Sequence, residues 1–318
     1  MTKKLKQFKS VKSLLIICCF FLFTSSALAS HFRYGDISYR VDTNDPTGRT
    51  VIFKVNSGWR STWTRSLNIQ LRFQPTGGGK AELIGKIPEN LTGSSNGVNY
   101  YTGEISYTFK TNGEYKVYYN SCCKISTLEN NKNNPWYVYT KVNVGSGNSS
   151  PVTSLPAVQY VQQNTIAKFN IPAVDPDGNA LTYRLATNAD GFEGNQPLNF
   201  LVSSNGEATF NTAGKIIGKL YNAAVVITDS DGAEILVDFI LEITKQSTPP
   251  QWDYSQGKTP ANDTAYQISP GQTITFPVEA FDTDSGSSVS ISASGMPSNS
   301  TVSPAFGTTS NPINHQFS

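Results

Sequence analysis

Apolar and polar residues alternate along this chain in short runs, and glycine, proline, asparagine and aspartate separate one run from the next. Val51-Ile52-Phe53-Lys54-Val55, Ile105-Ser106-Tyr107-Thr108-Phe109 and Tyr115 to Tyr119 are examples. A two-residue period puts successive side chains on opposite faces of a strand. Long stripes of 3.6-residue period, which would announce amphipathic helices, do not occur. Many short strands punctuated by turn residues predict an all-β chain of tandem immunoglobulin-like β-sandwiches.

The first thirty residues break this pattern. Lys3, Lys4, Lys6, Lys9 and Lys12 form a basic stretch without acids, and Leu14 to Phe23 is an apolar run short for a bilayer span. Ala27-Leu28-Ala29 places small residues where signal peptidase needs them, so residues 1–29 read as a cleaved signal peptide and Ser30 as the new terminus. Ile17 before Cys18 is too bulky for lipoprotein processing. The chain is thus expected outside the cell or on its surface. Five lysines leave with the leader, so 20 basic and 23 acidic residues remain. That slight negative balance does not suit a nucleic-acid backbone, and no later stretch reaches transmembrane length.

Two polar, proline-ended seams divide the rest: Gly145 to Pro151 and Gln246 to Pro250. They predict sandwich modules over 30–147 and 151–246, and a third, shortened module over 249–318. In the middle module, strands are expected near Val158 to Val161, Thr165 to Val174, Leu181 to Leu185, Ala208 to Phe210, Ala223 to Thr228 and Ile235 to Ile243. In that order, the loops Asp175-Pro176-Asp177-Gly178 and Asp229-Ser230-Asp231-Gly232 fall at the same end of an immunoglobulin-like sandwich. Four converging carboxylates repel one another unless a cation lies between them, and oxygen-only ligands suit calcium. Asp-x-Asp-Gly is equally a good turn, so the loops read either as plain turns or as a calcium site of Asp175, Asp177, Asp229 and Asp231. Such a site would face the linker at Asn148 and restrict the hinge between modules.

The run Phe169 to Leu185, with Val174-Asp175-Pro176-Asp177-Gly178 at its centre, resembles the cadherin-like repeats of bacterial surface proteins, in their dystroglycan-type and Ig-type families. Thr212-Ala213-Gly214-Lys215-Ile216-Ile217-Gly218 is similar to their Thr-Gly-x-Ile-x-Gly turn, with Ala213 inserted. Val226 to Ala233 resembles their closing hairpin. The resemblance covers about 95 residues and implies a calcium-stiffened module used for adhesion or as a spacer. The linker lacks the acid-rich motif that completes a true cadherin metal shell.

Gln272 to Gly286 repeats the logic of Thr165 to Gly178, so Asp282 and Asp284 are candidate calcium ligands in the third module, and Ser288 to Ala293 its third strand. A complete copy needs about thirty more residues, which marks the sequence as a fragment of a longer protein. In the first module, Cys122 and Cys123 are the only cysteines left after the leader, and they read as a vicinal disulfide or as two reduced thiols on opposite faces of a strand. Trp59, Trp63 and Trp136 are candidates for a sugar-binding platform, although aromatics of this kind more often pack a core.

Catalysis finds no foothold. Only two histidines occur, His31 and His315, in different modules, a shortage that argues against a paired-histidine copper site and a Ser-His-Asp triad, and no glycine-rich phosphate loop follows a strand and opens a helix. The expected class is therefore a non-catalytic, exported modular protein whose partner is a surface protein or a polysaccharide, with carbohydrate binding as the alternative function.

Overall fold

The computed structural model describes residues 31–62, 68–284, 286–293, 296–297, 299–305 and 309–318. The expected leader and Ser30 lie outside the described residues, as does Trp63. The chain forms two compact units, the first ending at Thr244 and the second running from Lys245 to Ser318. The described residues are almost entirely strands and turns, as the alternating pattern predicts.

The first unit holds two sandwiches. The first sandwich comprises β1 (Phe32–Val41), β2 (Thr50–Arg60), β3 (Asn68–Pro75), β4 (Glu82–Pro88), β5 (Asn90–Ser95), β6 (Val98–Thr108), β7 (Gly113–Ser121) and β8 (Trp136–Val144). The second comprises β9 (Val152–Thr153), β10 (Val158–Gln162), β11 (Ile166–Asn170), β12 (Ala173–Val174), β13 (Leu181–Leu185), β14 (Phe200–Val202), β15 (Glu207–Asn211), β16 (Leu220–Asp229) and β17 (Glu234–Thr244). In the second sandwich, β13, β16, β17 and β10 form one sheet, with β10 parallel to β17, and β11, β15 and β14 form the facing one. This is the immunoglobulin-like arrangement. Pro172 interrupts the long run expected from Thr165 to Val174 and splits it into β11 and β12, because proline cannot donate to the ladder.

The two sandwiches are not strung on an open linker. The sheet order β4-β3-β7-β8-β17-β1-β2-β6-β5 shows the first half of β17 inserted between β8 and β1 of the first sandwich. Glu234 pairs with Lys141, Ile235 with Thr140 and Asp238 with Gly35, while the second half of β17 pairs with β10. The sequence allows this because Ile235 to Leu241 is apolar apart from Asp238, and a strand buried on both faces reads as a continuous apolar run. Leu236, with Ala224 and Val226 of β16, joins the core of the first sandwich. Ile235, Val237 and Phe239 point the other way, into the second core with Phe200 and Phe210. Close approach of the sandwiches also needs Gly58 in β2, where a Cβ would stand 2.9 Å from Tyr34 Cβ and 3.2 Å from Ala157 Cβ.

The second unit is a small sheet of β18 (Gln251–Trp252), β19 (Phe276–Phe281), β21 (Ile313–Phe317) and β20 (Val302–Ser303), in that spatial order. Its core is the group Ala280, Val289, Ile291 and Ile313. The alternating run that begins at Gln272 becomes strand only at Phe276. The segment Ser288 to Ala293, expected as a strand, contributes a single bridge from Val289 to Ser310.

Candidate functional site

The two Asp-x-Asp-Gly loops of the second sandwich do lie together, and two consecutive linker residues, Asn148 and Ser149, meet them. Each loop is first a turn in its own right. Asp175 Oδ1 accepts from the amides of Asp177 at 2.9 Å and Asn179 at 3.2 Å. Asp229 Oδ1 does the same for Asp231 and Ala233, both at 2.9 Å. Such Asx turns satisfy backbone donors that the reversal would leave unpaired. The free sides of the carboxylates then take the linker. Asn148 Nδ2 donates to Asp229 Oδ2 at 2.9 Å, and the Ser149 amide donates to Asp177 Oδ2 at 2.6 Å. Ser150 faces the first sandwich: its amide donates to Tyr39 O at 3.0 Å, and the Tyr39 amide donates to its Oγ at 2.8 Å.

Asn148, Ser149 and Ser150 are buried, so the linker expected to act as a hinge is packed into the first unit. Each of the three is fixed by a different element, and the shared strand β17 fixes the same junction a second time. A third stitch lies beside it, where Tyr139 Oη donates to Glu234 Oε2 at 2.8 Å and Thr140 Oγ1 donates to the Glu234 carbonyl at 2.9 Å.

The fit of this site to calcium is incomplete. Where a cation would draw oxygens together, amide nitrogens stand instead. Asn148 Nδ2 is on Asp229, and Asn179 Nδ2 is shared between Asp231 Oδ2 at 3.1 Å and Asn148 Oδ1 at 2.9 Å. Among the described residues, no group of three or more histidine, cysteine or acidic side chains is arranged to hold a metal ion. One atom points the other way. Asp175 Oδ2 is buried without a hydrogen-bond partner, and burial, with the nearby Asp229 and Asp177 carboxylates, raises the Asp175 carboxyl above its usual range.

Asp282 and Asp284 repeat the turn-and-clamp geometry within the second unit. The Asp284 amide donates to Asp282 Oδ1 at 2.7 Å, and the Thr248 amide donates to Asp284 Oδ2 at 2.8 Å. The Thr248 amide holds the Asp284 carboxyl below its usual range. In both loops the second aspartate therefore grips a backbone amide one or two residues ahead of a proline, Pro151 in one case and Pro249 in the other.

The tryptophans correct the sequence reading. Trp136 and Trp59 are 1% and 5% exposed, so neither presents a face to a sugar. Trp136 stacks on Phe32 with centroids 3.9 Å apart, and Trp59 meets both rings edge-on. Trp59 Nε1 donates to Ser57 Oγ at 2.7 Å, and Ser57 Oγ donates to Glu89 Oε1 at 2.6 Å. Burial raises the Glu89 carboxyl to about 7, against the opposing Ser57 hydrogen bond. Alternation alone cannot say which aromatic faces the core. Exposed aromatics occur instead in the second unit, where Trp252, Tyr254 and Tyr266 line an open groove of about 370 Å³ with Asn262, Asp263 and Phe276. The sulfurs of Cys122 and Cys123 are joined to each other, immediately before Lys124.

Lys124 was not singled out by the sequence. It is 1% exposed, as is Asp238, and their charged atoms lie 2.9 Å apart. The visible signal was Asp238 itself, a lone acid in the middle of an apolar run. No helix among the described residues is long and apolar enough to cross a membrane.

Residues 33–145 match the family model described as integrin beta-like protein A-E, N-terminal, and residues 152–263 match that described as integrin beta-like protein A-E, second Ig-like domain. Integrin beta-like protein A of Dictyostelium discoideum is 29% identical over 258 residues, which is 71% of this chain and 13% of that protein. Integrin beta-like protein C of the same organism is 30% identical over 252 residues, or 72% of this chain and 12% of that protein. The chain thus spans a small fraction of the length of these relatives. Among solved structures, the tandem Ig repeats of Dlar align at 9% identity and a TM-score of 0.26, covering 63% of this chain and 92% of that one. The matches fall in an integrin beta-like group rather than in the bacterial cadherin-like repeats that the middle module resembles. Taken in order, the two model matches liken residues 33–145 to the N-terminal region, and residues 152–263 to the second Ig-like domain, of the integrin beta-like proteins A-E.

Proposed function

We propose that this chain is a non-catalytic extracellular module of a cell-surface protein, and that its first two sandwiches act as one stiff block for adhesion or for holding a binding region away from the surface. The observation that carries this reading is the junction. A strand of one sandwich completes the sheet of the other, and all three linker residues are hydrogen-bonded. A stiff, immunoglobulin-like block suits mechanical presentation. The name of the relatives, integrin beta-like, agrees with an adhesive role. The test is attachment: beads coated with the secreted chain should bind cells or particles above beads coated with a heat-denatured sample, and equal binding would remove the adhesive part of the reading.

Calcium is the finer part of the proposal. Asp175 Oδ2 supports it, and binding would require Asn148 and Asn179 to turn their amide oxygens toward the ion. A second reading, carbohydrate binding, is favoured by one observation only, the exposed Trp252, Tyr254 and Tyr266 rings beside Asn262 and Asp263. Aromatic faces flanked by short polar side chains can stack on sugar rings. Reproducible capture of one polysaccharide on a glycan array, lost in Trp252→Ala, would promote that reading. Array silence would leave adhesion through protein contacts.

A further inference from the structure

Three side chains from separate parts of the first unit meet in its interior. Lys124 follows β7, Asn222 lies on β16 and Asp238 on β17, and the three are 1%, 2% and 1% exposed. Lys124 Nζ donates to Asn222 Oδ1 at 2.7 Å and lies 2.9 Å from Asp238 Oδ2. Asn222 Nδ2 donates to Asp238 Oδ1 at 2.5 Å. The carboxylate therefore bridges an amine and a carboxamide that already touch.

The surroundings hold this arrangement still and dry. Asn130 fixes the backbone of Asn222 on both sides, accepting from its amide and donating to its carbonyl, each at 2.8 Å. Asn131 Nδ2 donates to Asn222 Oδ1 at 3.0 Å. The Phe192 ring covers Lys124 Nζ at 4.4 Å. Burial raises the Asp238 carboxyl, opposed by Lys124 and Asn222. A buried ion pair of this kind contributes little net stability, because desolvation offsets the attraction. An amine, a carboxamide and an acid–base group in contact, away from water, are also the parts of an acyl-transfer site.

We propose that Lys124 and Asn222 join in a self-formed amide bond, with Asp238 as the acid–base group. Lys124 Nζ passes a proton to Asp238 Oδ2, and the neutral amine attacks Asn222 Cγ. Negative charge develops on Oδ1, where the Asn131 amide already donates. Asp238 then delivers its proton to Nδ2 and accepts one from the attacking nitrogen. The Cγ–Nδ2 bond breaks, ammonia leaves, and the Nζ–Cγ amide remains. Asp238 ends protonated, the uncharged form that its buried position favours. No oxidant, cofactor or second protein is consumed. The bond covalently ties the segment after β7 of the first sandwich to β16 of the second.

The experiment is mass spectrometry of the full secreted chain, denatured, reduced and digested with trypsin. The expected result is one branched peptide holding both Lys124 and Asn222, about 17 Da lighter than the sum of its parts because one ammonia is lost, and no cleavage after Lys124. Lys124→Arg should give the two peptides separately. Asp238→Ala, checked for folding by circular dichroism, should do the same. Separate, full-mass peptides from the wild-type chain overturn the proposal whatever the variants do. A branch about 18 Da lighter that joins Lys124 to Asp238 overturns the choice of Asn222. A folded Asp238→Ala chain that still carries the branch overturns the role given to Asp238.

Discussion

The amide of Ser149 donates to the Asp177 carboxylate at 2.6 Å, across the junction where one sandwich hands the chain to the next. Thr248 and Asp284 repeat the contact at 2.8 Å in the second unit. In these two turns the second aspartate, Asp177 or Asp284, thus serves as a clamp on the entering segment. Asp177→Ala should cost about 1 kcal/mol, less than a fully buried charged hydrogen bond because Asp177 is solvent-exposed. Denaturant unfolding checks this, and the slope of the transition should be unchanged.

Calcium makes a separate prediction. If the ion enters beside Asp175, a concentration 100-fold above its dissociation constant stabilises by about 2.7 kcal/mol. Extracellular sites often bind at only ~10⁻⁴ to 10⁻³ M, so the melting midpoint in several millimolar calcium should exceed that in EDTA. The gain should vanish in the double variant Asp175→Asn/Asp229→Asn. A midpoint that ignores calcium in the wild-type chain leaves the loops as turns and clamps.

Strand existence was readable because alternation is a local signal. Leu181 to Leu185 and the strands around Val51 to Val55 follow directly from it. The convergence of Asp175 and Asp229 was also legible, since strand order alone brings those loops to one end. The insertion of β17 between β1 and β8 was not, because pairing Asp238 with Gly35 links positions about two hundred residues apart and local pattern carries no such information. The roles of Trp59 and Trp136 failed for a related reason: an aromatic in an alternating run shows its period but not which face becomes the core. The Trp252 groove was passed over because its rings come from a turn-rich stretch without period.

The tryptophan correction is testable. Trp136→Ala should destabilise the first unit by about 3–5 kcal/mol, the usual cost of deleting a buried large aromatic. Trp252→Ala, on an exposed ring, should change stability by no more than about 0.5 kcal/mol. Thermal or denaturant melts of the two variants distinguish the cases, and equal effects would contradict the burial described above.

Glu89 predicts a pH dependence. Its folded-state value of about 7 lies above the ordinary carboxyl value of 4.5. Between those values the folded chain holds a proton that the unfolded chain has released, so this group makes stability fall as pH rises from about 4.5 to 7. Its contribution is most favourable below that window and lost above it. Glu89→Gln, which keeps an acceptor for Ser57 Oγ, should flatten the slope in this range. A wild-type midpoint that climbs from pH 5 to 7 with the same slope as Glu89→Gln would refute the assignment.

The shared strand also has a consequence for the order of synthesis. The eight strands of the first sandwich emerge from the ribosome before β17, with the facing edges of β1 and β8 still unpaired near Gly35 and Thr140. Those edges wait for residues 234–238, roughly a hundred residues behind β8. Until then they are open templates for any other extended chain. A nascent chain that stalls between Val144 and Glu234 would therefore leave open the strand edges that β17 covers in the folded protein.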